Sequence, residues 1–321
     1  MSCFFPVGRL AGRGPRDVTS CIRARNAAIY VNVSLPGQFG AVDCAVRQEA
    51  GDGSTNRIPM PLATPHLNSE PSSSVHAAHD KAPSILHWTV AGQDIRLETD
   101  PAVFRPTVTT TLLATEVLRS GVAGRAVLDL GCGSGPIAIA MARAGAVPVY
   151  ASDLMAEACE LTARNAVRNG VADRIRVARG DLFESVAGMK FDLIVDDVSG
   201  VAEEVAVVSS WFPPQVPLGG SDGTSLAIAM LRQSPQYMHA GGQLIFPVLS
   251  LSHGAKIVTV AREVFGDRLE LVASRLIPFN QELKDNLATL ERLRDRGLIT
   301  FEQIRSRLCW SLEVYRATAP A

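Results

Sequence analysis

Apolar positions follow two regimes along this chain. From Ile85 onward they alternate between short strand-like runs and longer stretches at helical spacing, whereas residues 1–83 hold no period long enough to build a core. Leu86–Val90 and Asp94–Leu97, joined across Ala91-Gly92-Gln93, predict a hairpin. Thr109–Arg119 places Leu112, Leu113, Val117 and Leu118 at helical spacing. Strands are then predicted at Ala126–Leu130, Val147–Ser152, Ile175–Arg179, Phe191–Asp196, Gly242–Val248 and Leu269–Ile277. Helices are predicted between them at Pro136–Ala144, Ala156–Asn169, Leu226–His239 and Ala255–Phe265. Such alternation predicts a Rossmann-like α/β fold, a mostly parallel sheet with helices on both faces. Sheets of this kind bind ligands beyond the carboxyl ends of their strands. Further on, Gln281–Arg296 aligns Leu283, Leu287, Leu290 and Leu293 on one stripe and predicts an amphipathic helix stopped by Gly297. A short helix is expected at Phe301–Arg307 and a last strand at Cys309–Ala317.

The first 83 residues hold 8 of the 19 prolines, a Gly/Asp/Ser run at Gly51–Ser54 and a Pro/Ser/His stretch at Pro59–Pro83. We expect a low-order, disordered N-terminal extension there, with one short strand at Ala27–Leu35 and with Met60 as an alternative start. Arg9, Arg13, Arg16, Arg23 and Arg25 give it a presequence-like basic character, against which Asp17 and the Pro and Gly residues count. Residues 84–120 form a hairpin and helix preceding the core, and residues 121–321 form the core, with a helical insertion at about 281–307.

Composition adds exclusions. The hydrophobic fraction of 47% and charged fraction of 20% suit a globular core. A net charge of −1 argues against a general nucleic-acid or anionic-membrane binder. No apolar stretch is long enough to span a bilayer, and no signal-peptide pattern opens the chain. The six cysteines are scattered, so neither a disulfide framework nor a zinc site is expected, no metal is called for, and a reducing, cytoplasmic setting fits.

The chemistry begins with Val127-Leu128-Asp129-Leu130-Gly131-Cys132-Gly133-Ser134-Gly135, a strand running into a glycine turn that opens a helix. A dinucleotide enzyme uses a similar turn to hold pyrophosphate at a helix N-terminus. Asp129 would repel a diphosphate but suit a cationic ammonium group, unless it caps the helix that follows. No Gly-Lys-Ser/Thr follows, which excludes a P-loop. Asp153, ending the next strand, can accept from both hydroxyls of a ribose. In Gly180-Asp181-Leu182-Phe183, Asp181 can accept from an adenine amino group while Leu182 packs on the ring. Adenine, ribose and an ammonium-bearing tail describe S-adenosylmethionine better than NAD.

These motifs, with Phe191-Asp192-Leu193-Ile194-Val195, resemble the ordered motifs of class I S-adenosylmethionine-dependent methyltransferases over roughly Trp88–Ile277. Within that class the chain is most similar to the release-factor glutamine methyltransferases and the small-domain ribosomal RNA methyltransferases. Val103-Phe104-Arg105-Pro106-Thr107, Asp153–Asn169 and Pro217–Gly223 carry that resemblance. It implies S-adenosyl-L-methionine as cofactor and an antiparallel last strand. The implied cofactor residues are Asp129, Gly131, Cys132, Gly133, Gly135, Asp153, Leu154, Asp181 and Leu182, with Phe104 and Thr107 at the entrance.

One departure redirects the acceptor chemistry. Where those relatives carry Asn-Pro-Pro-Tyr after the fourth strand, this chain has Asp197-Val198-Ser199-Gly200, preceded by Asp196. Transfer to a glutamine amide or an adenine amine is therefore disfavoured. Asp197 is the candidate base or hydrogen-bond acceptor, with Asp196 its competitor, since adjacent strand residues point opposite ways. His253 is a further candidate base or a helix cap. Trp211 and Phe212 either stack on a flat acceptor or pack the core. The insertion walls or lids the acceptor pocket, or else packs a neighbour. The expected function is methyl transfer to an N or O nucleophile of a small molecule or amino-acid-like group, the small molecule being favoured over protein or RNA as partner, with no membrane partner. The alternatives are a protein or rRNA methyltransferase, and a methyltransferase-like protein that binds cofactor or a partner without catalysis.

Overall fold

The structure, a computed structural model, describes residues 18–24, 27–33, 84–198 and 200–321. The chain divides into two compact units, Met1–His76 and Ala77–Ala321. In the first, β1 (Val18–Ala24) and β2 (Ala27–Val33) pair as an antiparallel hairpin. The single strand expected at Ala27–Leu35 is thus one arm of a hairpin. Most of the expected low-order extension, with Met60, lies outside the described residues.

The second unit opens with β3 (Ser84–Val90) and β4 (Gln93–Thr99), a separate antiparallel pair. Ala91 and Gly92 turn it with φ of 46° and 78°. Trp88, Val90, Ile95 and Leu97 are buried in the main core cluster, as period-two alternation requires. α1 (Val108–Arg119) follows and buries Leu112, Leu113 and Val117 in the same cluster.

The core then builds in β/α steps: β5 (Val127–Leu130), α2 (Pro136–Arg143), β6 (Val149–Asp153), α3 (Ala156–Arg168), β7 (Ile175–Arg179) and β8 (Phe191–Asp196). α4 (Glu203–Val208), α5 (Ser225–Gln233), β9 (Met238–Leu249), α6 (Gly254–Phe265) and β10 (Leu269–Pro278) come next. α7 (Gln281–Asp285), α8 (Leu287–Asp295), β11 (Glu302–Ile304) and β12 (Arg307–Thr318) complete it. The sheet order is β10-β12-β9-β8-β5-β6-β7, with β11 pairing β12. β5 to β9 run parallel, and β12 lies antiparallel between β9 and β10. The strand order reverses between β5 and β8, the place where open α/β sheets leave a crevice.

Two apolar layers sandwich the sheet. Val127, Ala151, Leu193 and Val195 face α1 and α2, while Leu128, Leu130, Ile194 and Phe246 face α5 and α6. Each fully buried Leu or Ile stabilises the fold by roughly 1.5–3 kcal/mol. β5 is therefore apolar on both faces, Asp129 excepted.

Three expected elements differ. The helix predicted at Leu226–His239 ends at Gln233, because Pro235 tightens the chain into a 3₁₀ turn before β9. The helix predicted at Gln281–Arg296 breaks at Asn286. The Asn286 amide donates to Glu282 O at 2.9 Å and reaches Val208 O at 3.4 Å. The short helix predicted at Phe301–Arg307 is a hairpin instead, with Arg305 at a φ of 56° turning β11 into β12.

Candidate functional site

A cavity of about 360 Å³ opens at the carboxyl ends of β5, β6, β7 and β8. Its floor is the glycine loop. Gly131, Gly133 and Gly135 have φ of 72°, 54° and 82°, conformations that side chains disfavour. A Cβ added to Gly131 would meet Val198 Cγ1 at 2.8 Å, and one on Gly135 would meet Thr162 Cγ2 at 2.9 Å. Gly131→Ala should therefore lift the loop and weaken cofactor binding, as read by calorimetry, with the sheet intact by circular dichroism. α3 supports the loop from beneath: Thr162 Oγ1 donates to Gly133 O at 2.9 Å, and Asn165 Nδ2 donates to Ser134 O at 2.9 Å.

Asp153 ties the loop to β6. Its Oδ2 accepts the Gly133 N–H at 2.9 Å and its Oδ1 accepts the Met155 N–H at 2.9 Å. Burial raises its pKa, and these backbone donors pull it back. The carboxylate lines the cavity with acceptor capacity left for hydroxyls. The Gly133 N–H that a pyrophosphate would need is already engaged. Beside it, Leu154, Cys132, Asp181 and Leu182 also line the cavity, and Leu182 holds a left-handed φ of 45°. Cys132 is buried next to Thr162, and burial pushes its thiol pKa up, so it is a filler and no nucleophile.

Asp129 is not part of the lining. It is 1% exposed, and its Oδ2 accepts the Ala138 N–H at 2.9 Å, capping the first turn of α2. Burial pushes its pKa to about 8, with Asp197 and Asp153 adding to the shift. Its expected contact with an ammonium group is corrected: it holds the loop from below. Gly135 likewise shapes the turn without reaching the cavity, serving as N-cap ahead of Pro136.

Of the expected proton carriers only Asp197 lines the cavity. Thr110 Oγ1 donates to its Oδ2 at 2.8 Å. Burial pushes the pKa of Asp197 to about 7, and the Thr110 hydrogen bond restrains that rise. Asp196 shares a face with Leu130 and Ile194, is 2% exposed, and its Oδ1 has no hydrogen-bond partner. Its pKa is pushed to about 8, first by burial and then by the charge of Asp197. His253 is the N-cap of α6, accepting the Lys256 N–H at 3.3 Å outside the cavity. It is not placed to act as a base with Asp197.

Aromatic side chains form part of the lining. Phe104 stacks on Phe212 at 5.2 Å, and Trp211 lies 6.1 Å from Trp310. Thr107, the N-cap of α1, completes the entrance. Ile277, Pro278 and Asn280 close the wall, but no residue of α7 or α8 lines it. Those helices brace α4 instead: Glu204 pairs with Arg292 at 2.6 Å and Arg296 at 3.1 Å. The expected lid is corrected to a buttress. Sequence reasoning missed Thr110, Trp310 and Asn280. The first had a signal, its position three residues after the N-cap Thr107. The other two depend on the pairing of Ile277 with Trp310 across β10 and β12. Among the described residues no cluster of His, Cys, Asp and Glu is arranged to hold a metal.

Asp153, Asp181 and Leu182 thus share one cavity lining with a glycine loop whose Gly133 N–H is engaged. The family model for ribosomal protein L11 methyltransferase (PrmA) matches residues 92–203. A ribosomal protein L11 methyltransferase of Pelotomaculum thermopropionicum is 34% identical over 62% of this chain and 61% of its own length. A release factor glutamine methyltransferase of Gloeobacter violaceus is 30% identical over 55% of this chain and 63% of its own. This chain thus spans less than two thirds of either relative. A candidate protein N5-glutamine methyltransferase of Methanocaldococcus jannaschii is 30% identical over 59% of this chain, and 93% of its own length is covered. A solved 16S rRNA N2 G1207 methyltransferase of T. thermophilus, with AdoMet and guanosine, superimposes with a TM-score of 0.48 at 17% identity, over 74% of this chain and 50% of that one. The chain belongs to the class I S-adenosylmethionine-dependent methyltransferases, in the release-factor-like glutamine methyltransferase group.

Proposed function

We propose that this chain transfers a methyl group from S-adenosylmethionine to an amine nitrogen of a protein, with Asp197 taking the proton. The observation that carries this reading is the Asp197 carboxylate in the same cavity lining as Phe104, Trp211 and Phe212, with burial raising its pKa to about 7, where similar enzymes carry the Asn of Asn-Pro-Pro-Tyr. The favoured small-molecule acceptor is corrected by the relatives, which are named for ribosomal protein L11, release factors and ribosomal protein uL3. A protein acceptor is therefore the reading kept here.

The chemistry separates amine from amide. A carboxamide carries no removable charge and calls for planar donors and acceptors around it. An ammonium group has no lone pair until it loses a proton. A carboxylate titrating near neutrality is matched to that proton transfer. An apolar cavity also lowers an ammonium pKa, which eases its deprotonation. Phe104, Phe212 and Trp211 offer faces that attract the cation before it is neutralised.

When bound, S-adenosylmethionine supplies a methyl group that is already activated for displacement. Asp153 would hold the ribose, with Asp181 and Leu182 on the adenine. Alignment of bound groups can lower the barrier by about 7–11 kcal/mol. The cavity runs unbroken from Asp153 to Asp197 and Trp211, which supports a catalytic role over a binding-only one. No helix among the described residues is long and apolar enough to cross a membrane, and the cytoplasm is the setting proposed.

Incubation of a cell extract with this chain and tritiated methyl donor tests the reading. Label is expected in protein and absent when Asp197→Asn replaces the wild type. Label that enters RNA or small metabolites instead would overturn it.

A further inference from the structure

The first turn of α1 is wired to the cavity. Thr107, the N-cap, accepts the Thr109 N–H on Oγ1 at 3.2 Å. Its own N–H donates to Thr110 Oγ1 at 3.1 Å. Together these form a capping box. The N3 residue of such a box is ordinarily Glu or Gln. Ionised Glu accepts the N-cap N–H and has nothing left to donate. Thr110 differs, because a hydroxyl that accepts one hydrogen bond keeps a proton to give. Thr110 is 2% exposed, and its proton goes to Asp197 Oδ2 at 2.8 Å. Hydrogen-bond polarity therefore runs one way, from the Thr107 N–H through the Thr110 hydroxyl to Oδ2.

From this chain of bonds we infer that Thr110 is a positioning residue that reserves Asp197 Oδ2 as an acceptor and leaves Oδ1 as the atom that receives the substrate proton. The inference rests on the reading of Asp197 as proton acceptor. In the step concerned, an ammonium N–H bond breaks and an O–H bond forms on Oδ1. Both electrons of the N–H bond stay on nitrogen as the lone pair, and positive charge on nitrogen and negative charge on the carboxylate disappear together. A proton on Oδ2 would instead confront the Thr110 O–H and force that hydroxyl to turn away. The same link joins the entrance segment to the reacting group, since Phe104 and Thr107 line the cavity just ahead of α1.

Burial and the Thr110 hydrogen bond set the titration of Asp197. Its charge in turn raises the pKa of Asp129 on β5 and Asp196 on β8. From α1 and its approach the neighbours are Thr107, Thr109 and Thr110, which do not titrate. Val198, Trp211, Phe212, Ile277, Pro278 and Trp310, loop and hairpin residues of the same lining, do not titrate either. Removal of the Thr110 hydroxyl should therefore show directly in the titration of Asp197.

Carbon-13 NMR of aspartate-labelled full-length protein, with S-adenosylhomocysteine added as probe, reads this without any acceptor. The Asp197 carboxyl signal is identified as the one missing from Asp197→Asn. In Thr110→Val its midpoint should rise by about one pH unit, and Thr110→Ser should return it to the wild-type value. An unchanged midpoint in Thr110→Val, or a raised one in Thr110→Ser, overturns the inference. Should Val prevent folding, Thr110→Ala removes the same hydroxyl and gives the same readout. Failure of the underlying reading looks different: Asp197→Asn would then keep full methyl transfer to protein whatever the NMR midpoints are.

Discussion

Asp153→Ala is expected to weaken S-adenosylmethionine binding by roughly 10²- to 10⁴-fold in calorimetry. In the proposed arrangement the carboxylate serves both the loop and the ligand. It holds the Gly133 and Met155 N–H groups at 2.9 Å each, and it faces the cavity with its remaining lone pairs. Hydrogen bonds to a charged group contribute about 1.5–3 kcal/mol each, and two of them to a ribose account for a loss on that scale. Asp153→Asn should fall between, because an amide can present an acceptor to one backbone N–H and must present a donor to the other. Binding should also weaken in acid as the raised pKa of Asp153 is crossed. Asp197→Asn, which touches neither N–H, should bind the cofactor within a few-fold of wild type. Equal loss in Asp153→Ala and Asp197→Asn would mean that the cavity is not divided into a donor end and an acceptor end.

Asp196→Asn should stabilise the protein at pH 8 and change little at pH 4. Asp196 has an ordinary carboxyl pKa in the unfolded chain, and burial pushes it to about 8 in the folded one. Below about pH 4 it is protonated in both states and has no effect on stability. Between about pH 4 and 8 the unfolded chain releases the proton and the folded chain keeps it. Folding then loses up to about 1.4 kcal/mol per pH unit from this group. Above about 8 both states are ionised and the loss is complete, with an upper limit on the order of 5 kcal/mol. Coupling to Asp197 and Asp129 divides that total among three carboxyls. Asn removes the group from the balance, so urea midpoints of wild type and variant should diverge as pH rises. Parallel curves from pH 5 to 8 would contradict a neutral, buried Asp196.

The β/α alternation was legible because both faces of the sheet are covered, which makes strands such as Val127–Leu130 nearly continuous apolar runs. The glycine loop was legible because its backbone angles exclude side chains at Gly131 and Gly135. Asp129 was ambiguous for a physical reason: a carboxylate between a strand and a helix can meet either a ligand or the helix's free N–H groups, and here Ala138 takes it. Thr110 stood at capping-box spacing but lacked the Glu or Gln that marks one. Trp310 and Asn280 reach the cavity only through the β10–β12 register, a long-range pairing that no local pattern encodes. The break at Asn286 stayed hidden because the leucine stripe continues through it: Leu283, Leu290 and Leu293 are all buried on both sides of the interruption.

The acceptor atom is read most directly by acid hydrolysis of protein labelled with tritiated methyl donor. A methylated amine survives hydrolysis as a labelled amino acid, whereas a methylated glutamine amide releases labelled methylamine. The carboxylate at position 197 predicts label retained in the amino-acid fraction. Label released as volatile methylamine would show that an amide is the acceptor, and that Asp197 stands where the relatives' Asn stands without changing the chemistry.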